Sequence, residues 1–410
     1  MKLFFKMSSL RNWIICCFFN FIVASIVGLL MRFSYLFPFK GINYIYLLHA
    51  HSHVAMLGWV YMMIYVLIVQ FFIPKEKSAK PIYNHLFWIT ECTIIGMMIS
   101  FPIQGYALFS IVFSTLHILL SYVFCWLVWR DFSKDKSAAE KLLIASILFM
   151  ILSTFGVWFL GPTIKILGKQ NVFYQAAIQF FLHFQFNGWF LFTVLALFIK
   201  QFKNKIEATK VKIFLILLVL GTVFTVAFPI SWYLKSSILN WVTVLGVFSQ
   251  LIAFFYFYKM LQPQIHEFRA NLNSITKKAY RFALCSVCLK VIIQLIVVLP
   301  NLADVSHQIR SWVIGFIHLT TLGIITGFLF GVLLQHNFLP RKVQVLKIGV
   351  HYFFCGYVLT ELLLFLQGLM YYLGKGLLHG YYEIIFGASV FIVAGLFLIL
   401  ISILKNKNKV

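Results

Sequence analysis

Three histidines carry the strongest chemical signal in this sequence. Each stands in an apolar stretch with glycine five residues later: His53 with Gly58, His183 with Gly188, and His318 with Gly323. The first belongs to a cluster, His49-Ala50-His51-Ser52-His53. At about 100° per residue, His49 and His53 share one helix face a turn apart, while His51 points nearly opposite. Ionisable groups inside a membrane ordinarily turn inward to a partner or ligand. One such histidine is most simply an interhelical hydrogen bond; three in register point to ligands. A haem iron needs one nitrogen above its plane and one below, so two helices must each supply an imidazole. His53, with His49 as its alternative, and His318 are the candidate pair for a non-covalent haem. Gly58 and Gly323 are small enough for a flat macrocycle or a neighbouring helix to come close.

Zinc is the competing metal, and it calls for about four converging ligands, preferably with a thiolate or carboxylate among them. Glu91 and Glu361 are the carboxylates inside apolar runs. Either suits a proton relay, a hydrogen-bond partner to a ligating histidine, or an interhelical contact. The seven cysteines include no C-x-x-C-H, which excludes a covalently attached c-type haem by the usual motif. Cys285 and Cys288 form a C-x-x-C within an apolar helix and are expected to pack as small hydrophobes. His85, His266, His336, His307 and His379 fall near span ends, where imidazole is readily hydrated. Gln185 and Asn187 beside His183 are candidate interhelical hydrogen-bond partners.

These side chains need a membrane scaffold to position them. Of 410 residues 62% are hydrophobic and 11% charged, and apolar runs long enough to span a bilayer recur throughout. They place twelve helices near residues 12–33, 44–73, 82–103, 106–129, 140–161, 172–199, 211–234, 238–261, 279–300, 310–335, 347–373 and 381–404. Phe37-Pro38, Gly161-Pro162, Pro263 and Pro340 mark expected breaks. The run from Trp13 to Met31 lacks a small-residue cleavage site and is expected to stay as a span.

A net charge of +24 would suggest nucleic acid in a soluble protein, but here the basic residues sit in the gaps between spans, so no nucleic-acid partner is expected. Most of them fall in alternate gaps, including Lys75, Lys77, Lys80, Lys134, Lys136, Lys203, Lys205, Lys407 and Lys409. Lys40 is in an opposite gap, and Lys290 alone lies within a span. This asymmetry places both termini in the cytoplasm. The fold class is therefore all-α integral membrane, one domain over 1–410. The matched histidines divide it into three pseudo-repeats of four helices, about 1–137, 138–272 and 273–410, with each histidine in the outer half of its group's second helix.

In these features the chain resembles subunit I of the haem-copper oxidase and nitric oxide reductase superfamily. That superfamily has twelve helices in three pseudo-repeated groups of four, with histidine ligands on the second, sixth and tenth. The NnrS-like membrane proteins, associated with nitric oxide stress, share the plan and are an alternative relative. The resemblance implies that His53 and His318 hold a low-spin, bis-histidine haem b. Phe316 stands where the high-spin haem ligand would be. The region 211–234 contains no histidine where two copper ligands would stand, and Asn187 replaces a tyrosine four residues after His183. Unless His117 or His351 substitutes, the binuclear centre is incomplete. His183, together with His49, is a candidate for a second metal such as copper.

The expected function is membrane electron transfer, or a response to oxygen or nitric oxide, in a multi-pass protein of a bacterial-type inner membrane. Expected partners are the lipid bilayer, an electron-donor protein or quinol, and other respiratory-complex subunits. Alternatives from other classes are a proton-coupled transporter working through Glu91 and Glu361, and a non-catalytic partner of a respiratory complex.

Overall fold

In a computed structural model of the protein, every apolar run forms a helix. The structure describes residues 2–38, 41, 43–132, 137–202 and 206–406, excluding the side chains of residues 2–9 and 300. Lys40, Lys134, Lys136, Lys203, Lys205, Lys407 and Lys409, counted for the orientation, lie outside the described residues. The helices are α1 (Lys2–Phe33), α2 (Tyr44–Phe71), α3 (Pro81–Gln104), α4 (Leu108–Asp131), α5 (Ala138–Leu167) and α6 (Val172–Ile199). They continue as α7 (Ala208–Ser231), α8 (Ser237–Ala270), α9 (Ser274–Ile296), α10 (Arg310–Gln335), α11 (Gln344–Tyr372) and α12 (Tyr381–Lys405). Among the described residues these twelve are long and apolar enough to cross a membrane. A helix meets every backbone hydrogen-bond need internally, which hydrocarbon demands. The protein is thus an all-helical, multi-pass integral membrane protein.

Helix starts follow local chemistry. The Asn43 side chain accepts from the backbone N–H groups of Ile45 and Tyr46 at α2, Asn171 from Phe173 at α6, and Asn273 from Thr276 at α9. Two expected breaks are absent: Pro162 lies inside α5 and Pro263 inside α8, and both helices run on to Leu167 and Ala270. Proline has no N–H to give, so each helix lacks one intrahelical hydrogen bond there. Both prolines are in the last two turns, where a helix loses least by missing one bond.

The chain divides into two compact units, residues 1–133 with 329–410, and residues 134–328. In the first, α11 packs on α12, α1 on α12 and α2, and α3 on α4. Its interior is aromatic: Trp13 stacks on Phe87 at 4.9 Å, Phe21 on Trp59 at 4.3 Å, and Tyr65 on Phe124 at 4.2 Å. Arg11 donates to the carbonyls of Ile403 and Leu404, a cation closing the carboxyl end of α12. In the second unit α5 packs on α6, α7 on α8, and α9 on α10. Lys200 pairs with the buried carboxylate of Glu140 there.

The three histidine-bearing helices are the most enclosed. Within their apolar windows α2, α6 and α10 bury 72%, 83% and 78% of residues, whereas no other span exceeds 50%. The remaining helices turn large apolar side chains outward, such as Ile99, Phe109, Trp126, Phe255 and Phe365, as a lipid-facing surface requires.

Candidate functional site

Each enclosed helix widens into a π-helical segment immediately after its histidine. His53 precedes Val54–Tyr61, His183 precedes Phe184–Phe190, and His318 precedes Leu319–Ile325. Such wide turns put backbone carbonyls out of register, occur often at functional sites, and need extra donors. All three segments find one. Asn20 on α1 donates to the Gly58 carbonyl at 3.2 Å, Thr193 to Trp189 at 2.7 Å, and Thr326 to Thr321 at 2.8 Å.

In the first unit, Nδ1 of His53 lies 2.8 Å from the His49 carbonyl. A carbonyl only accepts, so Nδ1 carries the proton and the lone pair of the neutral ring is on Nε2. The Tyr106 hydroxyl reaches Nε2 at 3.2 Å, and the Phe101 ring lies 4.2 Å from the imidazole. His49 meets the edge of the same Tyr106 at 4.5 Å. Tyr106 is delivered by Gly105, whose φ of +62° admits a turn closed to most side chains. A Cβ there would also fall 2.4 Å from the Tyr46 ring.

His51 turns away, as its spacing requires: Nδ1 donates to the Ala24 carbonyl at 2.8 Å, and its ring lies against Gly28 of α1. His117 on α4 is 3% exposed and meets the edge of Tyr61 at 4.7 Å, with Nε2 lacking a hydrogen-bond partner among the described residues.

Glu91 is buried and accepts from Asn20 at 2.9 Å, and the same amide holds the Gly58 carbonyl. The carboxylate therefore positions the side chain that supports the wide turn below His53. At Gly58 the close neighbour is a helix on either side: a Cβ would meet Asn20 at 3.0 Å and Ile94 at 3.1 Å. Glu361 on α11 feels the charge of Arg32, whose guanidinium donates to the Ile385 carbonyl and Ser389 on α12.

In the second unit His183 adopts the opposite tautomer. Nε2 donates to the Thr222 carbonyl of α7 at 2.8 Å, and Nδ1 accepts from Asn187 at 3.4 Å, so both nitrogens serve contacts inside the protein. Gln185 donates to Ser153 on α5. His318 is half-buried, and the wide turns of α6 and α10 pack on one another. Gly323 lies within the latter turn. Among the described residues no three His, Cys, Asp or Glu converge as a metal site. Tyr106 and Asn20 escaped the sequence reading; a lone asparagine in an apolar helix was the available signal for the second.

No family model matches the chain, and no curated protein matches it by sequence. Its fold is similar to a cryo-EM structure of a haem-copper terminal oxidase dimer, with a TM-score of 0.70 and 14% identity over 98% of this chain and 84% of that one. At that identity the likeness speaks to architecture, and the chain has a haem-copper-oxidase-like fold.

Proposed function

We propose that this chain is a haem-binding membrane subunit in which His53 and His318 would hold low-spin haem b. It would serve electron transfer or a response to oxygen or nitric oxide. The observation that carries the reading is the orientation of His53: its Nδ1 proton is committed to the His49 carbonyl, which presents Nε2 as the ligating atom. A carbonyl on the far nitrogen is the usual partner of a metal-bound histidine, fixing its tautomer and raising its basicity. The oxidase-like fold supports the same reading. Bound haem would supply reversible one-electron chemistry.

Tyr106 must yield Nε2 when iron binds, and the exposed position of its ring leaves it room to turn. Phe101 would remain as an apolar wall beside the ligand. The three histidine-bound wide turns support three pseudo-repeats, and the basic gaps support cytoplasmic termini in a bacterial-type inner membrane. An electron-donor protein or quinol, and companion respiratory subunits, are the partners such a protein would use.

The residues do not fit a copper centre. His183 uses both nitrogens inside the protein, α7 has no histidine, and Phe316 stands at the high-spin ligand position. No oxygen or nitric oxide reduction at a binuclear centre is therefore assigned.

Purified protein from haem-replete cells tests the reading. The reduced spectrum should show the split visible bands of six-coordinate haem, and His53→Ala and His318→Ala should each abolish them. A colourless preparation, or an unchanged spectrum in both variants, rejects it.

A further inference from the structure

A groove of about 530 Å³ opens in the second unit along α8 and α9, within the size range of small-molecule sites. Its walls change character along its length. At one end stand Arg269, Lys277 and Arg281; toward the other the lining is Leu284, Leu289 and Ile292, with Phe198 and Tyr280 also contributing. From Lys277 to Ile292 the α9 wall extends about 22 Å, longer than half of a hydrocarbon core of roughly 30 Å. None of the three cations is in an ion pair among the described residues.

We infer that this groove binds an anionic phospholipid, its phosphate held by Arg269, Lys277 and Arg281 and one acyl chain lying along α9. Charge complementarity selects this occupant. A zwitterionic lipid brings its own cation to a mouth that already carries three, whereas an anionic headgroup neutralises them. Arginine forks suit phosphate oxygens, and basic pockets between helices at a membrane surface are the common design for such headgroups. The apolar wall excludes a free phosphate as the whole ligand, because nothing polar would use the greater part of the groove. The site is separate from the histidines and does not depend on their assignment.

Cys285 and Cys288 are free, exposed thiols on the groove wall, one turn apart, and so report its occupancy. Cys92 and Cys355 are exposed thiols of the other unit and serve as controls. Delipidated full-length protein would be titrated with phosphatidylglycerol, with phosphatidylcholine of the same acyl chains, and with inorganic phosphate. Bound lipid is read by native mass spectrometry and maleimide labelling of each thiol by peptide mapping.

Phosphatidylglycerol should be retained over phosphatidylcholine and should slow labelling of Cys285 and Cys288 several-fold without affecting Cys92 or Cys355. The double variant Arg269→Gln/Arg281→Gln should bind phosphatidylglycerol roughly twenty-five-fold more weakly, since each cation near an anionic headgroup contributes about five-fold. The same charge change at Lys80 and Lys342 should leave binding intact. Equal retention of the two lipids, equal binding by the arginine variant, or full thiol protection by inorganic phosphate alone would overturn the proposal. Should the arginine variant not fold, thiol protection in the unaltered protein decides by itself.

Discussion

The side-chain nitrogen of Lys290 lies 5.6 Å from the centre of the Phe316 ring. Lys290 is 1% exposed in the last two turns of α9, and its Nζ donates to Gln294 at 3.1 Å. Phe316 stands two residues before His318, at the position the resemblance gives to a high-spin haem ligand. That position therefore offers an aromatic face to a buried amine, and an aromatic face attracts a cation without coordinating metal.

This pairing predicts a non-additive response. A buried amine is costly to hold in its charged form, and an apolar side chain of similar length removes that cost. Lys290→Met should leave the thermal midpoint in detergent unchanged or raised. Phe316→Leu should cost about 1–2 kcal/mol when Lys290 is present and distinctly less in the Lys290→Met background. Additive effects in this cycle would show that the ring and the amine do not interact.

His53 and His51 should separate cleanly. His53→Ala removes the proposed ligand, whereas His51→Ala removes the hydrogen bond to Ala24 and opens a gap against Gly28. The second variant should lose about 1–3 kcal/mol of stability while keeping the six-coordinate haem spectrum. Tyr106→Phe deletes the hydroxyl that competes for Nε2, so its haem affinity should equal or exceed that of the unaltered protein. Loss of haem in Tyr106→Phe would mean that the hydroxyl assists ligation rather than yielding to it.

Asn20 joins Glu91 to the Gly58 carbonyl, which makes Asn20 more sensitive than the carboxylate it touches. Asn20→Ala takes the side-chain donor from the Gly58 carbonyl and leaves Glu91 with the Cys16 thiol, and should cost about 1–3 kcal/mol, read as a lowered unfolding midpoint. Glu91→Gln retains an oxygen to accept from Asn20 and should stay within about 1 kcal/mol. A transporter reading makes the contrary forecast for function. Proton-coupled flux lost in Glu91→Gln, with stability and haem unchanged, would favour a relay over the positioning role.

Periodic chemistry was legible in the sequence, and singular contacts were not. Twelve apolar runs dictate twelve helices because hydrocarbon leaves the backbone no other partner. The repeated His and Gly spacing marked the three helices that prove most enclosed. The wide turns after His53, His183 and His318 were hidden, because their extra donors come from outside the run, as Asn20 does, or from ordinary threonines. Pro162 and Pro263 misled because their cost depends on how near the helix end they fall, which spacing does not encode. The opposite tautomers of His53 and His183 follow from which carbonyl each ring meets.

Between α9 and α10 the His307 ring stacks on Trp232 at 5.3 Å and 11°, near an ion pair between Lys235 and Asp304 at 2.6 Å. Burial holds the imidazole below its ordinary pKa, Lys235 lowers it further, and Asp304 opposes with a smaller pull upward. The unfolded chain therefore binds a proton at His307 more readily than the folded one. Its contribution to stability is whole above about pH 6.5 and is lost as pH falls from there through the lowered folded value. Asp304 is held below the usual carboxylate range by Lys235, so that ion pair survives until more acidic conditions. Hydrogen exchange of residues 301–309 should accelerate as pH drops below about 6.5, after correction for intrinsic exchange rates. His307→Gln should remove that acceleration while leaving any change at more acid pH. If the acceleration persists in His307→Gln, another group is the sensor.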